Sequence, residues 1–454
     1  MKIIIVGAGE VGMHIASRLA AENKDVVLVD HDPNRVAFAK DNLDVQAITG
    51  HGSSPRVLRM AGIENADLLI AVTTSDEVNM VACLIAASQT TTPLKIARIR
   101  NPEYVEGTDI LASPHLGVDL HINPEREAAE AIQKVLNIPC AKEVIDLGGG
   151  RVKLIGVPIP PDSPVIGQQL QYLSEFRPEK KVLIAAIQRG EKIVIPGGAD
   201  TMEAGDTVWV ISTPENIDHV MAGLGLTTKP VRRIMLFGAT NVARLLAEMI
   251  LADGMSLRIV EKDYEKCVQL AERFPQAVIL HSPFVDQELL EEEDAASLDA
   301  FVSASEDDED NILSALLAKR FGVKKVATVL ERATYNQIIS SIGVDIIVSK
   351  RLAAVNRIMA YMRKGKVRSE VVLGNQRTEV LEFEALETSL VVGKALKEIK
   401  FPKGVLIIAI IRDNDVIIPG GESVIQVGDL VLALTDTGNI KALENLFSVN
   451  LSFF

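Results

Sequence analysis

The fold is decided by a short stretch near the start of the chain, Lys2-Ile-Ile-Ile-Val-Gly-Ala-Gly-Glu-Val-Gly12. An apolar run of strand character leads directly into a glycine-rich turn, and the turn leads into a helix-forming stretch. A second apolar strand, Val26–Val29, follows and ends at Asp30. This order of strand, G-x-G-x-x-G turn, helix, strand and acid is typical of the first unit of a dinucleotide-binding Rossmann fold.

The three glycines of the turn have separate roles in such a fold. Gly7 makes the tight turn, Gly9 lets a pyrophosphate approach the backbone, and Gly12 lets the helix pack on the strand. Backbone N–H groups at the positive helix end then attract phosphate without any basic side chain. Asp30 is placed to accept hydrogen bonds from ribose, which disfavours the 2′-phosphate of NADP. The alternative interpretation is a glycine-rich turn that binds no ligand.

The same pattern returns 231 positions later, as Ile234–Phe237, a turn, Leu257–Val260 and the acid Glu261. The second turn keeps only the first glycine and reads Gly238-Ala239-Thr240-Asn241-Val242-Ala243. Thr240 has a Cβ where a pyrophosphate would come closest, although its hydroxyl can donate to phosphate. We therefore expect a weaker or differently selective second site, with a degenerate structural copy as the alternative.

Four segments can be distinguished along the chain. Segments 1–138 and 232–365 alternate short β-rich runs with helical patterns, which is typical of a parallel doubly wound sheet. Segments 144–224 and 367–454 share an Ile-Pro-Gly-Gly turn and a later Gly-Asp turn at an offset of 223, and a linker at 226–230 separates the halves. The sequence predicts an α/β protein: a tandem duplication of a Rossmann-like doubly wound N-type domain followed by a small α+β C-type domain.

Polar residues stand at the ends of strands three, four and five of the first segment, where a doubly wound sheet forms its ligand crevice. They are His51 in a small-residue loop, Thr73 and Thr74 after strand four, and Arg98 and Arg100 at the end of strand five. The hydroxyls can bond to base, ribose or phosphate, and a guanidinium fork matches a terminal phosphate. For each arginine, a solvated charge at a strand end is the alternative.

The second half carries counterparts of only some of these residues. Aligning the halves pairs Thr73 with Ser305, Arg98 with Leu330, Arg100 with Arg332 and Glu125 with Arg351. The candidate nucleotide contacts of the second copy are therefore Gly238, Ala239, Thr240, Asn241, Glu261 and Arg332. The acidic run at 306–310 is interpreted as a solvated loop and helix start rather than as a metal cluster.

Composition narrows the classes of function. The 454 residues carry a net charge of -14, which argues against nucleic acid as a partner. No apolar run reaches the roughly 20 residues that span a bilayer, and the N-terminus is predicted as a strand rather than a signal peptide. The three cysteines lack metal-ligand spacing and suit a reducing cytoplasm. Because neither a P-loop nor a dehydrogenase acid/base group stands out, we expect a binding protein and not an enzyme.

Over nearly its whole length the chain resembles the conductance-regulating nucleotide-binding (RCK/KTN) domains of bacterial potassium systems. The layout of two N-type and two C-type domains is that of the cytosolic regulatory subunit of Trk-type potassium uptake systems. The resemblance rests on the GAGEVG start, Asp30, Thr73-Thr74, the Ala-Arg-Ile-Arg-Asn run at 97–101, Asn123-Pro124-Glu125 and both Ile-Pro-Gly-Gly/Gly-Asp signatures.

This resemblance implies a set of ligands and contacts. Bound NAD(H) or ATP/ADP would contact Gly7, Ala8, Gly9, Glu10, Val11, Asp30, Thr73, Thr74 and Arg98. Glu125 matches an acid that joins a cation site between subunits in some relatives; an ordinary first-turn helix acid is the alternative. His51 stands where the family usually has Asp, which leaves the choice of nucleotide open.

Three functional hypotheses follow. In the first, nucleotide binding biases two arrangements of a ring that gates an integral membrane potassium transporter. Since each chain carries two N-type/C-type units, a ring of eight units needs four chains, held at the inner face of the membrane by the transporter. The alternatives are an NAD-dependent oxidoreductase and a nucleotide-sensing regulator of another cation transporter or antiporter.

Overall fold

In the computed structural model, the described residues are 1–89, 94–105, 110–111, 116–173, 181–190, 192–226, 229–332, 343–362, 367–373, 378–413 and 415–447. The predicted domain limits at 365 and 454 and linker positions 227 and 228 lie outside these residues. The described part folds into two six-stranded parallel sheets and two five-stranded antiparallel sheets. The predicted α/β class and tandem duplication are thereby confirmed.

The first half begins with a Rossmann unit. Its elements are β1 (Lys2–Val6), α1 (Glu10–Ala21), β2 (Asp25–Asp30), α2 (Pro33–Asn42), β3 (Gln46–Thr49), α3 (Pro55–Met60), β4 (Leu68–Ala71), α4 (Asp76–Gln89), β5 (Leu94–Arg98), β6 (Leu120–Ile122) and α5 (Pro124–Asn137). The strand order β3-β2-β1-β4-β5-β6 is that of a doubly wound nucleotide-binding sheet. Chain order reverses between β1 and β4, and this switch point opens the crevice at the carboxyl ends of the strands.

The sheet is buried on both faces, which explains the continuous apolar runs of its strands. Ile3, Ile4 and Ile5 of β1 are all fully buried, although neighbouring side chains point to opposite faces. Helix α1 covers one face with Gly12, Ile15, Ala16 and Leu19, which share one side of the helix.

The second half repeats the Rossmann unit with the same strand order, β14-β13-β12-β15-β16-β17. Its elements are β12 (Arg233–Phe237), α7 (Asn241–Ala252), β13 (Ser256–Glu261), α8 (Tyr264–Arg273), β14 (Val278–His281), α9 (Gln287–Glu292), β15 (Ala300–Ser303), α10 (Asp308–Arg320), β16 (Lys325–Leu330), β17 (Ile346–Ser349) and α11 (Lys350–Met362).

The remaining sheets are antiparallel. The first contains β7 (Glu143–Leu147), β8 (Val152–Pro158), β9 (Val182–Arg189), β10 (Lys192–Val194) and β11 (Thr207–Ser212), followed by α6 (Ile217–Gly223). The second contains β18 (Val367–Leu373), β19 (Thr378–Glu384), β20 (Val405–Arg412), β21 (Asp415–Ile417) and β22 (Leu430–Asp436), followed by α12 (Ile440–Phe447). Strands β7 and β18 were not predicted, and β7 begins one residue before the expected segment start at 144.

The two antiparallel sheets share one apolar core. Leu154, Trp209 and Ile211 of the first sheet pack with Ile408 and Leu432 of the second. A hydrogen bond of 2.7 Å from the Gly148 N–H to the buried Glu382 carboxylate also joins the two sheets. The two halves of the chain, besides being repeats of one another, are therefore packed against each other.

The Rossmann units exchange their last helices. Ala128, Ile132 and Val135 of α5 lie in a core with Ile234 and Leu246 of the second half. Helix α11 returns the contact: its residues Ala354, Val355, Ile358 and Met359 lie in the core of the first sheet. Each sheet thus completes its apolar covering with a helix from the other half.

A buried lysine lies at one of these junctions. Lys325, the first residue of β16, donates hydrogen bonds through Nζ to the carbonyl oxygens of Pro139 and Ala141, just after α5. Burial lowers the pKa of Lys325 to about 8, and the nearby Asp345 carboxylate opposes this shift only in part.

We expect Ile358→Ala to destabilise the whole chain, because it opens a cavity in the first sheet's core although Ile358 belongs to the second half. The expected loss is about 2–5 kcal/mol in the free energy of unfolding, measured by urea denaturation. Asn356→Ala, at an exposed position of the same helix, is the control. Equal stability of the two variants would contradict the helix exchange.

We expect Lys325 to make stability depend on pH between about 8 and 10.5. The unfolded chain holds the lysine proton more tightly than the folded chain, so stability increases as pH rises through this window. Below pH 8 the full cost of burying the charge is present, on the order of 3 kcal/mol. The difference in unfolding free energy between the wild type and Lys325→Met should therefore change across the window; a constant difference would argue against this.

Candidate functional site

A cavity of about 680 Å³ lies at the switch point of the first sheet. Among its lining residues are eleven that the sequence singled out: Gly7, Gly9, Glu10, Val11, Asp30, His51, Thr73, Thr74, Arg98, Arg100 and Glu125. Ala8 is buried and is not part of the lining. The carboxyl ends of all six strands therefore bring together residues that are up to 118 positions apart in the sequence, from Gly7 to Glu125.

The glycine turn combines two structural glycines with one that leaves space. Gly7 has φ +110°, and a Cβ there would lie 3.0 Å from the Thr73 nitrogen. A Cβ on Gly12 would lie 1.8 Å from the Gly7 oxygen, so close helix packing requires glycine. At Gly9 the nearest atom to an added Cβ is Arg35 Nη1 at 3.9 Å. Only Gly9 borders open space, as expected for a residue that a ligand approaches.

Helix α1 begins without a side-chain cap. Its N-cap residue is Gly9, which has no side chain to accept a hydrogen bond from the first-turn N–H groups. These groups carry the positive end of the helix dipole and face the cavity. An anion is the natural partner for this helix start.

Asp30 ties β2 to the glycine turn. The buried carboxylate accepts a hydrogen bond of 2.5 Å from the Ala8 N–H and one of 2.9 Å from the Asp32 N–H. The imidazole Nδ1 of His31 lies 3.1 Å from the same carboxylate. The Ala8 N–H therefore helps to hold the Asp30 carboxylate in position at the edge of the cavity.

The ends of β4 and β5 are held by two residues that the sequence analysis missed. Asn79 accepts a 2.8 Å hydrogen bond from the Thr73 hydroxyl and donates one of 2.8 Å to the Arg98 carbonyl. Asp76 accepts hydrogen bonds of 2.8 Å from the backbone N–H groups of Arg100 and Asn101. Both residues could have been recognised from the sequence, because an Asp at a helix start is followed three positions later by an Asn in both halves.

The two arginines differ in their surroundings. Arg98 is 17% exposed and its Nη2 lies 3.6 Å from Glu125 Oε1. Burial lowers the pKa of the Arg98 guanidinium, and Glu125 works against that shift. Arg100 is more exposed, and its guanidinium donates to the Thr74 carbonyl.

In the structure, Glu125 forms an ion pair with the Arg98 guanidinium. The described residues contain no cluster of three or more His, Cys, Asp and Glu side chains that could hold a metal ion. A cation site at Glu125 stays a prediction. His51 also lines the cavity: its Nδ1 lies 2.7 Å from the Ser53 hydroxyl, and its ring centroid lies 6.3 Å from that of His31.

Three further lining residues come from the second half. Glu331 follows β16, and Lys350 and Arg351 begin α11. Arg351 Nη1 lies 3.7 Å from Glu10 Oε2, and Lys350 is paired with Glu331. From the sequence, Arg351 was only aligned with Glu125 and was not predicted as a site residue, because the exchange of helices is invisible in an alignment of the two halves.

The second glycine turn has the shape of the first but a different helix start. Gly238 has φ +103°, and Glu261 is buried and accepts a 2.9 Å hydrogen bond from the Asp263 N–H, as Asp30 does from Asp32. Thr240, however, caps α7 through its hydroxyl, which accepts from the Ala243 N–H at 3.3 Å and donates to the Ala304 carbonyl at 2.6 Å. The hydroxyl that we expected to be available for phosphate is used within the protein.

The other residues predicted for the second site are dispersed. Ala239 borders a separate cavity of about 390 Å³ beside α8. Asn241 borders a third cavity, of about 930 Å³, between the two halves. Arg332 Nη1 lies 3.3 Å from Glu309 Oε1.

The predicted equivalence of Arg100 and Arg332 is wrong by one residue. Asp308, the counterpart of Asp76, accepts hydrogen bonds from the N–H groups of Glu331 and Arg332. Glu331 therefore occupies the place of Arg100, and Arg332 that of Asn101. The chain between these residues is one residue shorter in the second half (23 positions against 24).

Two related corrections follow from the same contacts. Asn311 donates to the Val329 carbonyl as Asn79 donates to that of Arg98, so Arg98 corresponds to Val329 and not to Leu330. Asp308 is buried, so the acidic run at 306–310 is not entirely a solvated loop.

Among the described residues, none of the helices combines the length and the apolar character needed to cross a lipid bilayer.

Family comparisons agree with the duplicated architecture. Residues 3–124 and 234–350 match the TrkA-N domain family, and residues 154–225 and 380–448 match the TrkA-C domain family. The chain is 37% identical to the Trk system potassium uptake protein TrkA of Halomonas elongata, with 100% of both chains covered. It is 36% identical to the protein of the same name from Azorhizobium caulinodans, again over 100% of both chains.

Solved structures share the fold at low sequence identity. The GsuK channel bound to NAD superposes with a TM-score of 0.63 at 15% identity, covering 98% of this chain and 78% of that one. The GsuK RCK domain gives 0.61 at 15% identity, with coverage of 98% and 94%. GsuK bound to ADP gives 0.50 at 11% identity, with coverage of 80% and 69%.

The likeness to GsuK shows the fold alone, whereas the domain matches in both halves and the full-length relatives show the family. The chain belongs to the TrkA family of Trk system potassium uptake proteins.

Proposed function

We propose that this chain is the regulatory subunit of a Trk-type potassium uptake system and that it binds a nucleotide in the first Rossmann unit. One observation carries the proposal: the uncapped start of α1 faces a cavity that also contains Asp30 and the strand-five arginines. Such a site offers N–H groups to a phosphate and a carboxylate to a ribose. Family membership supports the connection to potassium uptake.

The proposed ligands are NAD(H) and ATP or ADP. The phosphates would meet the backbone of Gly7–Val11, and Thr73, Thr74, His51, Arg98 and Arg100 would complete the site. GsuK structures bound to NAD and to ADP support these two ligand classes on the same fold. Asp30 would disfavour a ligand with a 2′-phosphate, because two carboxylate oxygens would face a second anion.

For the second Rossmann unit we propose weak binding or none. Gly238, Ala239, Asn241, Glu261 and Arg332 would have to bind a ligand around a helix start that Thr240 already caps. A phosphate there would have to displace two internal hydrogen bonds of Thr240. The expected stoichiometry is therefore one nucleotide per chain.

The proposed partner is an integral membrane potassium transporter. The two Rossmann units of one chain already form a pair through their exchanged helices, so four chains would supply eight units for a ring. We propose that the chain works in the cytoplasm, at the inner face of the membrane, through contact with this transporter. Nucleotides would regulate the transporter only if they bind the two arrangements of the ring with different affinities.

Two other hypotheses make different predictions. An NAD-dependent oxidoreductase would consume NADH with a small carbonyl substrate, whereas the proposed regulator binds NADH without turnover. A regulator of another cation transporter would bind the same nucleotides but would restore a different transport activity. The names of the full-length relatives favour potassium uptake over both.

We expect Gly9→Ala to weaken nucleotide binding by about tenfold or more while the fold is kept. The added methyl would project into the space beside the α1 start, where its nearest neighbour is the flexible end of Arg35. Equilibrium titration with ATP, ADP, NAD and NADH measures both affinity and sites per chain. Gly420→Ala is the matched control, because an added Cβ there has no neighbour within 4 Å. Unchanged affinity in Gly9→Ala would contradict binding at this site.

We expect Gly9→Ala and Gly420→Ala to differ in the nucleotide dependence of potassium uptake. In cells that lack their own Trk regulatory subunit, the wild-type chain and Gly420→Ala should restore nucleotide-dependent uptake through a co-expressed Trk transporter. Gly9→Ala should lose the nucleotide dependence, because the site that senses the ligand is impaired. Nucleotide-dependent uptake that survives in Gly9→Ala would show that another site does the sensing.

A further inference from the structure

We propose that Arg351, supplied by the second half of the chain, binds the ligand phosphate in the cavity of the first half and exchanges its partner Glu10 for that phosphate. The inference rests on the proposed nucleotide binding and adds a specificity-determining residue to it. One bound nucleotide would then hold the two halves of the chain together.

The position of Arg351 carries the first step of this inference. It is the second residue of α11 and lines the cavity, with 19% of its side chain exposed. Its Nη1 lies 3.7 Å from Glu10 Oε2, which is too long for a hydrogen bond. Its Nε is buried and has no hydrogen-bond partner among the described residues. A buried guanidinium N–H without a partner is costly, so the present pairing with Glu10 leaves Arg351 incompletely satisfied.

The location of Glu10 gives the second step. Glu10 is the first residue of α1, and the uncapped N–H groups of this helix start surround its backbone. A guanidinium in ion-pair contact with Glu10 therefore lies next to the place where these N–H groups would bind a phosphate. The guanidinium of Arg351 can donate to two phosphate oxygens at once. Its contact with the Glu10 carboxylate, at 3.7 Å, does not use this capacity.

The pairing of charges in the cavity gives the third step. Arg98 is paired with Glu125 within the first half, and Lys350 with Glu331 within the second half. Among these pairs, the contact of Arg351 with Glu10 alone crosses between the halves. Its carboxylate is also the most exposed of the three, since the Glu10 side chain is 64% exposed against 61% for Glu331 and 13% for Glu125. Exposed ion pairs are weak, so a phosphate that carries more charge can replace Glu10 at little cost.

The duplication makes this residue informative. Arg351 corresponds to Glu125, so a faithful copy would have put a second carboxylate into the cavity. The second half instead supplies a cation to the first half's site. Because the rest of α11 packs on the first sheet and against α1, a phosphate on Arg351 would strengthen the existing contact between the halves.

The test compares Arg351→Met, Glu10→Gln and the control Arg357→Met in the full chain, by titration with ADP, ATP and NAD. Arg357 lies on the same helix and forms a similar cross-half pair with Glu127 at 3.6 Å, outside this cavity. We expect Arg351→Met to weaken ADP and ATP binding by about 10- to 100-fold, as for the loss of a hydrogen-bonded charge. NAD, which has no terminal phosphate, should lose less.

Glu10→Gln is expected to bind ADP more tightly than the wild type, because the competing carboxylate is gone. Arg357→Met should bind as the wild type does, and thermal melts should show that all three variants are folded. Arg351→Met with wild-type affinity, or Glu10→Gln with weaker affinity, would overturn the inference while leaving the proposed function intact. A wild-type chain that binds none of the three nucleotides would instead overturn the proposed function.

Discussion

The structure depends on one constraint: neither Rossmann unit covers its sheet completely with its own helices. The helix that follows the sixth strand of each unit crosses to the other unit, so that Ile132 is buried with the second sheet and Ile358 with the first. Burial of these side chains is worth several kcal/mol in each direction. The two units cannot separate without exposing part of the apolar core of each, and the shared core of the antiparallel sheets adds to the same coupling.

The exchange of helices also determines which residues line the candidate site. Helix α11 starts at the edge of the first cavity because the rest of the helix lies on the first sheet. Lys350 and Arg351 consequently face a glycine turn that precedes them by more than 300 positions in the sequence. A ligand in this cavity would contact both halves, so its binding energy would depend on how the halves are arranged, which is the physical requirement for regulation by a ligand.

Much of this could be predicted from local pattern, and the failures have identifiable causes. The glycine turn, Asp30 and the strand ends were predicted correctly as neighbours, since parallel strands bring their carboxyl ends to one edge of a sheet. Strand β7 was missed because its run Glu-Val-Ile-Asp-Leu mixes charged and apolar residues. Arg332 was wrongly matched with Arg100 because the second half is one residue shorter between the helix-start Asp and this position. The backbone hydrogen bonds to Asp76 and Asp308 reveal the difference. Helix exchange leaves no trace in composition, spacing or periodicity.

The two copies differ at the start of their first helix and at the start of the exchanged helix. Thr240 closes the second helix start with its own hydroxyl, whereas Gly9 leaves the first one open. Arg351 replaces the carboxylate of Glu125 and adds a cation to the open site, not to the closed one. Because the two copies pack as one body, a change in the second copy can serve the first. The second Rossmann unit is then understood better as part of the first unit's candidate site than as a failed copy of it.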